Sequence, residues 1–112
     1  MKDKRIITSI SSKNGVSIRL TGERWNHITA SHIDMEDNQK LLLETIRDPD
    51  IILQGVTDDV RGVKFFQKTH LGPKYLVAVY KEIDKKDGFI LTAYKASKIN
   101  KIKRRGIIWK KQ

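Results

Sequence analysis

The fold turns on one stretch: Lys74-Tyr75-Leu76-Val77-Ala78-Val79-Tyr80-Lys81-Glu82-Ile83, then Asp84-Lys85-Lys86-Asp87-Gly88, then Phe89-Ile90-Leu91-Thr92-Ala93-Tyr94-Lys95-Ala96. Leu76 to Tyr80 is almost continuously apolar, as in a strand buried on both faces. Residues 84–88 are polar and end in glycine, a turn composition. Two β-forming runs flanking a short turn predict a hairpin at the centre of a sheet. Period two in the second run places Phe89, Leu91 and Ala93 on one face and Ile90, Thr92 and Tyr94 on the other. Tyr80 is expected to join the latter group.

Upstream, residues 63–69 read as a strand broken by Gly72-Pro73, and residues 51–53 as a short apolar strand ending at Gly55. Val56 to Gly62 reads as a polar turn. Asp48-Pro49 ends a helix, because a residue before proline avoids the α region. That helix is expected to be capped by Asp34 and to run to about residue 47, burying Leu41, Leu42, Thr45 and Ile46. Thr21 is the natural N-cap of a helix over residues 22–32, with Trp25, Ile28 and His32 on one face. At the N-terminus, strands over residues 5–10 and 16–20 are joined by the turn pair Asn14-Gly15. The order is strand, strand, helix, helix, then four strands. It predicts an α+β fold: an N-terminal hairpin and two helices packed on a four-stranded antiparallel sheet. The chain divides into one domain, residues 1–97, and a basic C-terminal tail, residues 98–112. Within the tail, Ile107-Ile108-Trp109 would add an edge strand or leave the segment mobile.

The chain has 112 residues, 38% hydrophobic and 32% charged, with a net charge of +10. That is one domain's worth, too apolar for a disordered chain. No apolar run reaches the ~18 residues of a membrane helix, and only Ile6-Ile7 follows the charged N-terminus, so no signal peptide is read. An intracellular, cytoplasmic protein without membrane contact is expected. Cysteine is absent, which excludes disulfides, thiolate zinc sites and cysteine nucleophiles. Residues 1–87 hold 15 Lys/Arg against 13 Asp/Glu, whereas residues 88–112 hold eight Lys/Arg and no acid. Such a block attracts polyanions, nucleic acid first.

The histidines are His27, His32 and His70. His27 and His32 are five apart, off the i, i+4 spacing of a shared metal face, and no metal or phosphate-loop motif occurs. No metal and no cofactor are expected. Histidine is the side chain best suited to proton transfer near neutrality. His27, with Arg24 one turn away, is the leading acid–base candidate. Thr92 and Tyr94 would present hydroxyls to a phosphate, with Lys74 and Lys95 nearby as binding cations. Asp84-x-Lys86 with Pro49-Asp50 echoes a nuclease carboxylate pattern, but Asp84 and Lys86 fall in a tight turn.

Three segments together resemble a known family: Leu20-Thr21-Gly22-Glu23-Arg24-Trp25-Asn26-His27-Ile28 with His32 following, Ile46-Arg47-Asp48-Pro49-Asp50-Ile51-Ile52, and Gly88-Phe89-Ile90-Leu91-Thr92-Ala93-Tyr94. Residues 16–96 look like a phage- and toxin-associated PBECR-like domain of the barnase–EndoU–colicin–RelE (BECR) ribonucleases. His27 matches the histidine of that family's WxHI segment, and Thr92 and Tyr94 match its TAY segment. Ile33 follows His32 where members often carry proline. The resemblance implies a metal-independent endoribonuclease acting as a toxin, with RNA (tRNA included) as substrate and an antitoxin or immunity protein as partner. His27, Arg24, Thr92 and Tyr94 would be catalytic, and Lys74, Lys95, His32, Lys64, Arg104 and Arg105 would bind substrate. The alternatives are a non-catalytic nucleic-acid-binding module and a phage or mobile-element protein acting through protein–protein contacts.

Overall fold

The computed structural model describes residues 5–112. It corrects the expected four-stranded antiparallel sheet. All strands join one seven-stranded mixed sheet, ordered β1-β2-β6-β5-β4-β3-β7. The strands are β1 (Ile6–Ser11), β2 (Ser17–Thr21), β3 (Ile51–Gln54), β4 (Val60–Phe66), β5 (Lys74–Glu82), β6 (Asp87–Ala96) and β7 (Ile107–Lys110). The helices are α1 (Gly22–Ser31), α2 (Gln39–Arg47) and the short α3 (Asn100–Lys103).

Two attachments enlarge the sheet. The β1–β2 hairpin docks through a parallel pairing, Ser17, Ile18 and Arg19 of β2 against Asp87, Gly88 and Phe89 of β6. Burial drives it: Ile18 and Leu20 are both 0% exposed. At the other end, β7 pairs antiparallel with β3, so the basic C-terminal segment supplies an edge strand. Ile99, just before α3, is buried as well.

The second expected helix is split. Asp34 does not cap a helix; it lies in a 3-10 turn, Ile33–Met35, and α2 starts at Gln39. Met35 is fully buried in this turn, and Lys95 Nζ on β6 donates to the Asp34 carbonyl at 2.9 Å. Burial pushes the Lys95 ammonium below its ordinary pKa, opposed by the nearby Asp34 charge. Thr21 caps α1 as expected, its hydroxyl accepting from Arg24 N at 3.1 Å. Strand β4 starts at Val60, inside the segment read as a turn.

The main core lies under α1 and α2, where Ile28, Met35, Leu42 and Ile46 meet Ile18, Leu20, Leu76, Ala78, Tyr80, Ile90 and Ala93. The sheet coils around α2, which touches edge strand β1 as well as β4 and β5. Lys13, in the β1–β2 turn, places its ammonium 4.9 Å from the ring of Trp109 on β7, a cation–π contact between the two edges. A smaller cluster occupies the opposite face: Ile51, Leu53, Val63, Val77 and Val79, with Ile99 and Ile102 from the α3 segment.

A β-bulge decides which side chains share that second face. Val79 pairs with Thr92 but Tyr80 pairs with Ile90, leaving Leu91 as the extra residue. An extra residue inverts the alternation beyond it. Ile90 therefore joins Ala93 and Tyr80 in the helix-covered core, while Leu91 and Tyr94 pack on the opposite face. The expected grouping of Ile90 and Tyr80 with Thr92 and Tyr94 is corrected accordingly.

Candidate functional site

Cross-strand rows on the face opposite α1 and α2 define the site. One row is Arg61 (β4), Val79 (β5) and Thr92 (β6); the next is Val63, Val77 and Tyr94. Arg61 reaches diagonally across β5, and its Nη1 donates to Tyr94 Oη at 3.1 Å. The phenol oxygen is thereby an acceptor, and its own O–H hydrogen is left to donate outward. Arg61 Nε is buried with no partner among the described residues. A buried donor left unsatisfied costs about 1–3 kcal/mol, and such an orphan calls for a bound group or a water to fill it.

His32 completes this corner. Its ring centroid lies 5.7 Å from that of Tyr94, with the planes tilted by 34°. The C-terminal end of α1 brings it there: His32 N donates to Ile28 O, and Met35 N donates back to His32 O. The Lys95–Asp34 bond then fixes the following turn to β6. Thus the imidazole stands at the open edge of β6, beyond the point where β2 stops pairing with it.

The row on the other side of Thr92 adds two more cations. Lys81 pairs with Phe89, which pairs with Arg19 of β2. The Arg19 guanidinium carbon lies 5.6 Å from the Phe89 ring centroid, and Arg19 forms an ion pair with Asp87. Lys81 meets Asp58 at 3.0 Å and holds that carboxyl below its usual pKa. Arg24 lies on the first turn of α1, and with Arg19, Thr21, Phe89 and Ile90 it lines a pocket of about 150 Å³.

The residues singled out from sequence therefore separate. Thr92, Tyr94 and His32 are brought together. Arg24 belongs to the neighbouring pocket. His27 is exposed on α1, and its imidazole has no hydrogen-bond or ring partner among the described residues. Lys64, Lys74 and Lys95 hold the structure. Lys64 Nζ reaches the Asp48 carbonyl at 3.0 Å and carboxylate at 3.2 Å, and Lys74 Nζ donates to Ser97 Oγ at 2.6 Å. Arg104 and Arg105 are exposed just after α3. Arg61, Lys81 and Arg19 were not singled out. The usable signal for Arg61 was its place two residues before Val63, on the same face of an alternating strand.

Among the described residues, no group of three or more His, Cys, Asp or Glu is placed to hold a metal ion, and no helix is long and apolar enough to cross a membrane. The chain matches no protein-family model, no curated protein and no solved structure.

Proposed function

We propose that the protein is an endoribonuclease that cleaves RNA by attack of the ribose 2′-OH on the adjacent phosphate. The observation that carries this reading is the Arg61–Tyr94 pair. A partly buried guanidinium with an unfilled Nε sits beside a phenol whose O–H is free to donate, with the Thr92 hydroxyl in the adjoining row. These donors suit the non-bridging oxygens of a phosphate gaining charge, and one donor of this kind typically contributes ~10²–10³-fold in rate. His32, against Tyr94, would take the 2′-OH proton as the neutral imidazole. It would then return a proton to the departing 5′-oxygen, giving a 2′,3′-cyclic phosphate and a free 5′-OH. An acid–base group contributes ~10²–10⁴-fold.

The net charge of +10 supplies affinity for the RNA backbone. The resemblance to BECR-type ribonucleases points the same way in substrate class, while the acid–base role is given to His32, whose ring meets that of Tyr94, rather than to His27. On this reading the protein would act in the cytoplasm, with an antitoxin or immunity protein as its partner.

Purified protein incubated with tRNA and total RNA in EDTA tests the reading. Cleavage leaving 2′,3′-cyclic ends is expected, lost in His32→Ala and retained in His27→Ala. Loss only in His27→Ala would return the acid–base role to α1. A gel shift without cleavage would make the protein a nucleic-acid-binding module.

A further inference from the structure

The pairing of β2 with β6 stops after Arg19 and Phe89. Beyond it β2 turns into α1 while β6 runs on to Ala96, and the pocket lined by Arg19, Thr21, Arg24, Phe89 and Ile90 opens in this fork. Arg19 is engaged by Asp87, and its Nη1 also approaches the Gly88 carbonyl. The Arg24 guanidinium has no ion pair or hydrogen bond to a described residue, and the Thr21 hydroxyl is used by the Arg24 amide. Two arginines line one small pocket, and with the Arg24 guanidinium uncommitted they suit a tetrahedral dianion or a phosphodiester. An aromatic ring beside it can carry a base.

The pocket also stands at a defined distance from the site described above. Phe89 and Thr92 face Lys81 and Val79, two β5 residues apart. At ~3.4 Å per residue their rows lie about 7 Å apart, close to the length of one nucleotide unit in an extended strand. We propose that this pocket is a second phosphate subsite, holding the phosphodiester next to the one at Arg61, Thr92 and Tyr94. The assignment rests on the ribonuclease reading for which phosphate is cut, but not for whether the pocket binds one. It makes the substrate a single strand lying across β6, with Arg24 a binding residue rather than a catalytic one.

Binding of uncleavable 2′-deoxy oligonucleotides tests this without any chemistry. A dinucleotide with one phosphate and a trinucleotide with two are titrated against wild type, Arg24→Gln and Arg61→Gln, following Phe89 and Thr92 amide signals by NMR. The second phosphate should tighten wild-type binding on the order of tenfold, the worth of one hydrogen bond to a charged group. That gain should vanish in Arg24→Gln and persist in Arg61→Gln. Arg24→Gln should keep its melting temperature, since no described side chain depends on the guanidinium. No gain in wild type, or an equal gain in Arg24→Gln, overturns the subsite. Failure to cleave RNA beside an intact Arg24-dependent gain would instead sink the ribonuclease reading and leave the subsite standing.

Discussion

The two faces of the sheet use polar side chains in opposite ways. On the face covered by α1 and α2 the cations serve the fold: Lys64 holds Asp48 and Lys95 holds the Asp34 carbonyl. The apolar side chains between them are closed over. On the other face the apolar cluster sits toward β3 and the α3 segment. Next to it Arg61 keeps a buried Nε without a partner, and Tyr94 keeps a free O–H. Lys81 and Arg19 on that face are committed to Asp58 and Asp87, so it is Arg61 Nε and the Tyr94 O–H that stand apart as donors left for a ligand.

The largest effect that sharpens this contrast is at Tyr80. It is 1% exposed beneath the helices, and burial drives its phenol pKa well above the ordinary 10.0. Tyr80→Ala should cost about 3–5 kcal/mol through lost packing and a cavity, read as a large drop in thermal midpoint. Tyr94→Phe, on the other face, should lower stability by only about 0.5–1.5 kcal/mol, the net worth of one hydrogen bond. Its RNA cleavage rate should fall ~10²–10³-fold. A Tyr94→Phe protein with full activity would remove the phenol from the mechanism and leave the two faces functionally alike.

The parts of the fold that were legible in sequence rest on local chemistry. The β5–β6 hairpin, the Asn14-Gly15 turn and the Thr21 cap are each set by residues close together in the chain. The rest depends on contacts distant in sequence. Alternation in Ser17–Thr21 says which side chains of β2 are buried, not that its neighbour is β6 in parallel. The basic C-terminal segment hides β7, because pairing with β3 is a property of both strands. The Leu91 bulge has no marker residue, yet it moves Ile90 to one face and leaves Thr92 on the other. At the site, the two strand hydroxyls were visible as a pattern. Arg61 was not, since Val56 to Gly62 is polar enough to read as a turn. The histidine beside Trp25 drew attention, but a helix places residue 27 outward and carries residue 32 to the strand edge.

A finer contrast concerns pH. Hydrogen bonds from Lys111 and Lys64 hold the Asp48 carboxyl below its ordinary 3.8, tying β7 and β4 to the end of α2. A carboxyl depressed in the folded state stabilises it above the unfolded value. That contribution is lost as pH falls through the folded value. Wild type should therefore lose stability more steeply than Asp48→Asn as pH drops below about 4, measured by denaturant midpoints across an acid series. Parallel curves for the two proteins would show that the tie contributes nothing.

The smallest expected effect lies outside both faces, at Arg104 and Arg105. They are exposed, and no ion pair or side-chain hydrogen bond to a described residue involves either. Deleting residues 98–112 would not isolate their charge, because it would also remove β7 from β3 and Ile99 from its cluster. Replacing both arginines with glutamine keeps the strand and removes only the cations. Each phosphate contact contributes about 0.7 to the slope of log K against log salt for a single strand. If both arginines touch the backbone, the double variant should bind single-stranded RNA with a slope shallower by about 1.4. Its affinity should be weakened uniformly across sequences and its melting temperature unchanged. An unaltered slope would leave Arg104 and Arg105 without a phosphate contact.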